Sequence, residues 1–491
     1  MGVFSMAVTF NSFRRFFSLR LTGIILVSML IPVSVATAGV ELIEAVKARD
    51  VGAVTALIEQ RVAVSEVGWD GATALHWASH LDQAAIADAL LKAGADANAA
   101  NEYDVTPLML ACENGNGQMV QRLLQAGANP NAVLLSGETA LMTASRAGSV
   151  EAVAALLAKG ANVDAKELSR GQTALIWALT EGHVDVAREL LDRGANVSLT
   201  STAGYTPLMT AARGGSLEAA QLLLQRGADI SAEAEVDGVT ALHTAVLRNH
   251  LDLAKMLLEK GADPDAMATG YTVLHYVAGK WDGVDAHDYL DAPGEWKNLL
   301  GLRPADKIDM IRTLFSYGAD PNLHMTKEPP RYGFSLVSGS AKRLTSGATA
   351  FYLAAMSADP PVMRALVAGG ADPNLRSKNE STPLMVAAGL GWMDNETLAT
   401  EQDYLPALDL CLELGADLDA ANSSGETAVH AIVSGGFDEI LKRLIEVGAD
   451  INAKNRRGTT PLTMALGYSA AGGNHVRPST AVILREAGGI E

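Results

Sequence analysis

Cysteine is nearly absent: the 491 residues include two, Cys112 and Cys411. A disulfide framework is excluded, although an exported chain often carries one. Aromatic residues make up 5%, so a core drawn from a 48% hydrophobic chain must be built of Leu, Ala, Val and Ile. Basic residues are also scarce, 38 against 56 acidic, for a net charge of −18. Such a surface repels phosphate backbones and anionic lipid heads, which argues against nucleic acid as a partner. Glycine-rich phosphate loops, a nucleophile elbow and a haem-type Cys-x-x-Cys-His are missing. Asp285, His287 and Asp288 lack a second ligand pair at helical spacing, so they read as a solvated loop and not as a metal site. Nothing points to a cofactor, a metal or catalysis.

Long hydrophobic runs are lacking too. The longest, Leu21 to Ile31, falls short of the roughly 20 residues of a membrane span. It follows Arg14, Arg15 and Arg20 and precedes Pro32 and the small-residue site Ala36-Thr37-Ala38. This is the layout of a signal peptide over residues 1–38, with cleavage expected after Ala38 and a retained membrane anchor as the alternative. The cut removes three arginines and no acid, which moves the net charge from −18 to −21.

What is present is a period. Eleven threonines from Thr73 to Thr460 each open an apolar run that closes about twenty residues later on Gly-Ala or Gly-Gly, and most neighbours lie 32 to 34 residues apart. A recurrence of this size is the mark of a stacked repeat protein. The Thr hydroxyl can cap a helix, and the Pro of Thr106-Pro107 or Thr460-Pro461 suits its first position. Leu208, Ala211 and Ala212 share one face, against which a second helix, Leu217 to Gln225, can lie closely. Gly227 then ends that helix in the left-handed conformation, and the polar stretch that follows predicts a β-turn finger. Cys112 and Cys411 fall in distant repeats, too far apart for the ~7 Å Cα limit of a bridge, and read as core thiols.

Gly-x-Thr-Ala-Leu-His at 71–76 and 238–243, closed by Gly-Ala-Asp-x-Asn-Ala at 94–99 and 448–453, resembles the ankyrin repeat. The resemblance covers nearly all of the chain after residue 39 and implies an all-α repeat solenoid of about 12 helix-turn-helix units with β-turn fingers, capped at both ends. Asp104 and Glu380 stand where the finger has Gly, and Arg61 where the first unit should have its cap Gly. His76, His243, His275 and His430 fall on the family's structural histidine, and His183 and His250 follow the inner helix in a turn.

The period breaks between Thr272 and Thr349, which are separated by 77 residues but enclose one capping glycine, Gly318. Two insertions are expected. Trp281 to Asp306, with Trp281 and Trp296, separates two helices, the second placed at Lys307 to Tyr317. Leu323 to Ser346 lengthens a finger and carries Lys327, Arg331, Lys342 and Arg343 against Glu328, a net of +3. Shorter interruptions are placed at Gly391 to Leu405 and Gly467 to Pro478. The organisation expected is therefore a signal peptide (1–38), a regular array (39–280), an interrupted unit (281–346) and a terminal array with a capping repeat (347–491).

In the resemblance, the residue after the histidine position faces a concave groove, and here it is Trp77, Leu110, Thr143, Trp177, Thr210, Thr244 and Tyr276. Three residues on come His80, Glu113, Arg146, Thr180, Arg213 and Leu247, with Arg248 next. Trp, Tyr and Arg concentrate interface energy. The function expected is a monomeric, non-catalytic protein-interaction scaffold, periplasmic or secreted, that resembles exported bacterial ankyrin proteins; the competing class is a catalytic role in the 281–346 insertion.

Overall fold

A computed structural model describes residues 36–268, 270–279, 302–327, 346–391, 399–467 and 476–491. Their secondary structure is 24 helices and three isolated β-bridges, an all-α repeat solenoid. All eleven marker threonines stand at helix N-caps with extended backbone, as in Met209 N–H donating to Thr206 Oγ1 at 3.2 Å. In seven of these inner helices the third residue reaches back to the cap; Thr272 N–H donates to His275 Nδ1 at 3.2 Å. In each of those seven helices two backbone amides at the start are so satisfied locally, without help from another repeat.

The chain forms two compact units, divided between Asp96 and Ala97. The first contains α1 (Ala36–Lys47), α2 (Val51–Glu59), α3 (Ala74–His80) and α4 (Ala84–Lys92). Leu42, Val46, Val54, Leu75, Ile86 and Leu90 make its core, and Gln83 Nε2 donates to Val46 O at 2.9 Å. Arg61, in place of the cap glycine, adopts φ 60°, the left-handed conformation of the glycine it replaces.

The second unit repeats one pattern. An inner helix such as α5 (Pro107–Glu113) or α7 (Ala140–Arg146) is followed by an outer helix such as α6 (Gly117–Gln125) or α8 (Val150–Ala158) and a finger. The next inner helices are α9 (Ala174–Thr180), α11 (Pro207–Gly214) and α13 (Ala241–Leu247), and their outer partners α10 (Val184–Asp192), α12 (Leu217–Gln225) and α14 (Leu251–Glu259). Small residues at inner-helix positions, Ala144, Ala178, Ala211 and Ala245, are fully buried and allow the close approach of the outer helices. Backbone bonds join successive fingers: Leu168 N–H donates to Ser136 O at 2.9 Å and Thr202 N–H to Arg170 O at 2.7 Å. Asparagine joins successive outer turns; Asn98 donates through Nδ2 to Gly127 O at 2.9 Å and accepts from Asn129 N–H through Oδ1 at 2.6 Å. Asp104 and Glu380 take φ 58° and 62°, the left-handed conformation of the glycine they replace.

Two boundaries differ from the sequence reading. The helix expected from Lys307 starts at Pro304 and runs to Ser316, because Pro304 supplies an N1 residue that needs no amide partner. The interruption expected to reach Leu405 stops at Thr400, where a capping box with Asp403 starts the helix Glu401–Glu413. The lengthened finger is closed at its base: Met325 N–H donates to Ala348 O at 2.9 Å and Thr326 N–H to Gly270 O at 2.8 Å. Trp281, Trp296, Arg331, Lys342 and Arg343 lie outside the described residues, as do Asp285, His287 and Asp288, and Lys327 is at their edge.

Candidate functional site

In the Ala97–Glu491 unit, the residue just before two of the capping threonines meets an arginine in the last turn of its inner helix. Glu138 holds that place before Thr139. Its carboxylate is buried, accepts from Thr143 Oγ1 at 2.9 Å and lies 3.5 Å from Arg146 Nη2. A buried carboxylate without such partners would be costly, and Arg146 and Thr143 answer it from one helix face, three residues apart. The Arg146 guanidinium in turn lies 5.3 Å from the ring centroid of Trp177, in the next repeat. A cation over a tryptophan face contributes roughly 0.5–1 kcal/mol at a partly exposed site.

The motif returns two repeats on with different residues. Tyr205 stands before Thr206, donates its hydroxyl to Asp237 Oδ2 of the following finger at 2.6 Å, and has the Arg213 guanidinium 5.0 Å from its ring. Asp237 is buried and also accepts from Val239 N–H at 3.3 Å. Between the two, Glu167 accepts from the amides of Ser169, Arg170 and Gln172 at 2.6, 2.7 and 2.9 Å and so holds its own finger closed. Glu138, Glu167 and Asp237 are thus buried finger acids, and the Arg146 guanidinium lies beside the first of them.

The expected groove residues separate into two groups. Tyr276 is 2% exposed, with burial pushing its phenol well up, and Leu247 is 1% exposed. Neither presents itself to a partner, since both side chains are in the core. Leu110, Thr143, Thr210 and Thr244 are buried as well. Trp177, Arg146 and Arg248 are half-buried, and Glu113, Thr180 and Arg213 are exposed. Trp77 and His80 belong to the first unit. Trp77 is 7% exposed under Lys47, whose Nζ is 4.6 Å from the ring centroid, with His80 edge-on at 6.1 Å.

The histidines are structural. His275 Nε2 bonds Leu323 O at 3.0 Å and His430 Nε2 bonds Thr459 O at 3.2 Å, which ties each inner helix to the next finger. Burial pushes His243 and His275 down to about 4, so both are neutral imidazoles. His183 and His250 reach back to Arg146 O and Arg213 O of the preceding repeat, each at 3.1 Å. Among the described residues there is no group of three or more side chains that could hold a metal ion, and no helix is long and apolar enough to cross a membrane.

Sequence reasoning missed the finger tips. Leu135 and Leu168 are each 76% exposed on adjacent fingers, with Tyr103 exposed on the finger before; in the first unit Trp69 is 79% exposed. The available signal was a large apolar residue in a stretch where turn chemistry calls for polar ones. A cavity of about 270 Å³ opens between two outer turns, lined by Ile230, Glu233, Asp263, Asp265 and Met267 among others.

Comparison with known proteins agrees with this architecture. A family model described as ankyrin repeats (3 copies) matches residues 42–133, 108–201, 164–234, 195–268, 232–290 and 397–475, and a single ankyrin repeat matches 346–378. Ankyrin repeat and SOCS box protein 6 from Mus musculus and from Homo sapiens are each 38% identical over 88 residues, 18% of this chain and 18% of those proteins. The chain thus spans about a fifth of the length of the curated relatives it matches. The threonine caps, paired helices and bonded fingers, together with family matches over well over half of the residues, show that this chain belongs to the ankyrin repeat family.

Proposed function

We propose that this protein is a non-catalytic protein-interaction scaffold of the cell envelope, and that its Ala97–Glu491 unit takes a partner on the finger rim and the groove behind it. Ankyrin repeats indicate a protein-protein interaction role. The observation that carries the finer reading is the pair Leu135 and Leu168, apolar side chains kept in water on neighbouring fingers that a backbone bond holds in register. Burying both on association would remove apolar area worth on the order of 2 kcal/mol per side chain. Arg146 and Trp177, in the same two repeats and 5.3 Å apart, supply the residue types that anchor interfaces.

Replacing both leucines by Ser should leave the unfolding midpoint within about 0.5 kcal/mol of the parent, as for exposed positions elsewhere. Affinity capture from the source cell envelope should then lose partners that the parent chain retains. An unchanged set of partners would remove the rim from the interface. The envelope assignment rests on Arg14, Arg15, Arg20, the apolar run to Ile31 and Ala36-Thr37-Ala38. Mass spectrometry of the mature chain tests it separately: a start at Gly39 is expected, and a retained run from Leu21 to Ile31 would instead make the protein membrane-anchored.

A further inference from the structure

The outer turns of the array begin Gly-Ala-Asp or Gly-Ala-Asn, and the residue two places after that Asp or Asn can tie its turn to the next. Asn98, Asn131, Asn322 and Asn452 each do so with two bonds, Nδ2 to a carbonyl and Oδ1 to an amide of the following turn. Asp164, Asp265 and Asp419 keep the accepting half of this rung. Ser198 and Ser231 hold the same place in two successive turns. A hydroxyl is one bond shorter than a carboxamide and has one polar atom, so it cannot supply both bonds. Neither serine side chain reaches the following turn, and their own amides are taken by Asn196 and Asp229. Asn374 makes no rung either, but Asn322 ties its turn from the other side. Among the described residues, the turn 227–231 is the one in the array tied to neither neighbour.

Other ties are weak or missing around this turn. The finger bond from Val236 N–H to Ala203 O is 3.3 Å long, against 2.9 and 2.7 Å for the two fingers before it. Exposed ion pairs, Arg188–Glu218 and Arg226–Asp192, join α12 and its C-cap Arg226 to α10, and such pairs contribute little. Among the described residues none joins α12 to α14. His275 and His430 brace their inner helices to a finger carbonyl, whereas the buried Nε2 of His243, on α13, has no hydrogen-bond partner. The cavity of about 270 Å³ lies at the same junction, with Ile230 and Ser231 of one turn on its wall and Asp263 and Asp265 of the next. What still holds the junction is the buried core, the Tyr205–Asp237 bond at 2.6 Å and the contact of His250 with Arg213 O at 3.1 Å.

We infer that the Ala97–Glu491 unit carries a joint at the turn 227–231, where the repeat of α11 and α12 is weakly coupled to the repeat of α13 and α14 and local opening starts. In a solenoid each repeat is held by its neighbours alone, so an interface stripped of its polar ties is where the array uncouples. Fraying from the ends makes the opposite forecast, since interior repeats would then open least. The joint lies between the fingers of Leu135 and Leu168 and the repeats after Thr272, and it lets these two stretches change their curvature relative to each other. The inference does not depend on a partner, and it stands or falls separately from the binding reading above.

Hydrogen exchange of the full chain, read on amides bonded within their own helices, tests the joint. Amides of α12 and α14 should exchange on the order of tenfold faster than those of α6 and α8, whose turns have rungs on both sides. Ser198→Asn together with Ser231→Asn should remove most of that difference. Ser231→Ala should leave it unchanged, because the hydroxyl bonds nothing in the next turn. The reciprocal change, Asn131→Ser, removes an intact rung to Gly160 and Asn162 and should speed α6 and α8 while α14 keeps its rate. Exchange in α12 and α14 no faster than in α6 and α8 would overturn the inference. So would rates that the Asn variants leave unaltered, or that Ser231→Ala slows as much as they do. Asn131→Ser guards against an Asn variant that merely folds badly: unchanged rates in α6 and α8 would show that the rungs do not couple the repeats, and the joint would have no cause.

Discussion

Gly148 and Gly227 both have left-handed backbone, φ 76° and 85°, but their surroundings differ. A Cβ on Gly227 would meet nothing within 4 Å, whereas one on Gly148 would lie 2.7 Å from Cε1 of His183, the imidazole that reaches back to Arg146 O. Gly227→Ala should therefore cost about 1 kcal/mol, the conformational strain alone. Gly148→Ala should cost more, on the order of 2–3 kcal/mol, since His183 must also leave its carbonyl. Urea unfolding of the two variants measures the difference, and adding His183→Ala to Gly148→Ala should recover little, because the strain remains. Asp265 offers an opposite case. It stands where Asn98 and Asn322 donate an Nδ2–H to the next glycine carbonyl, and it can only accept, taking Asp320 N–H at 3.0 Å. Burial raises its pKa, the Asp320 amide opposes that, and the charges of Asp263 and Asp320 raise it further. A carboxyl raised on folding binds its proton more readily in the native state, so its ionised form costs stability at neutral pH and that cost fades as pH falls. Asp265→Asn should stabilise the chain at pH 7, by about 1 kcal/mol if the Gly318 carbonyl gains its donor. Thermal melts from pH 7 to 4 should show the gain shrinking as pH falls.

At the scale of elements, the Thr272–Thr349 interruption is spanned by one buried lysine. Lys307, on the helix Pro304–Ser316, donates to Gly279 O at 2.8 Å and lies 3.8 Å from Asp359, the N-cap residue of the helix Pro360–Ala368. It links the end of one inner helix to that repeat's own outer helix and to the outer helix of the next repeat. Lys307→Met retains much of the apolar stem but leaves the Gly279 carbonyl without this donor, at a cost of about 1–3 kcal/mol. Hydrogen exchange should speed up most in residues 304–316 and 360–368 and little in distant repeats, in keeping with nearest-neighbour coupling.

In the array as a whole, stability is a sum of local terms, and the two cysteines lie far apart within it. Both are buried, and burial pushes the Cys411 thiol up to about 12 and the Cys112 thiol higher still. Neither should react with a thiol reagent in the native state; each should label at the rate at which its own repeats open. Single-cysteine forms in rising urea should give two separate opening curves. One shared curve would show that the Ala97–Glu491 unit unfolds in a single cooperative step.

The repeat, its helices and its caps were legible in the sequence, since each depends on residues within four positions: Thr206 bonds Met209, and Gly227 needs no neighbour to explain it. The starts of the helices at Pro304 and Glu401 were less legible, because an insertion removes the period and leaves Pro and Thr-x-x-Asp as the local signals. The binding surface depended on the tertiary structure. Period and spacing placed Trp177 and Tyr276 in equivalent positions, but one is half-buried beneath Arg146 and the other is sealed in the core. Leu135 and Leu168 became a rim through a backbone bond between residues 32 positions apart, Ser136 and Leu168. Local sequence determined which segments became helices and turns, because those bonds close within one turn of chain. Exposure was decided by stacking, because whether a side chain meets water or a neighbouring repeat depends on residues one or two periods away.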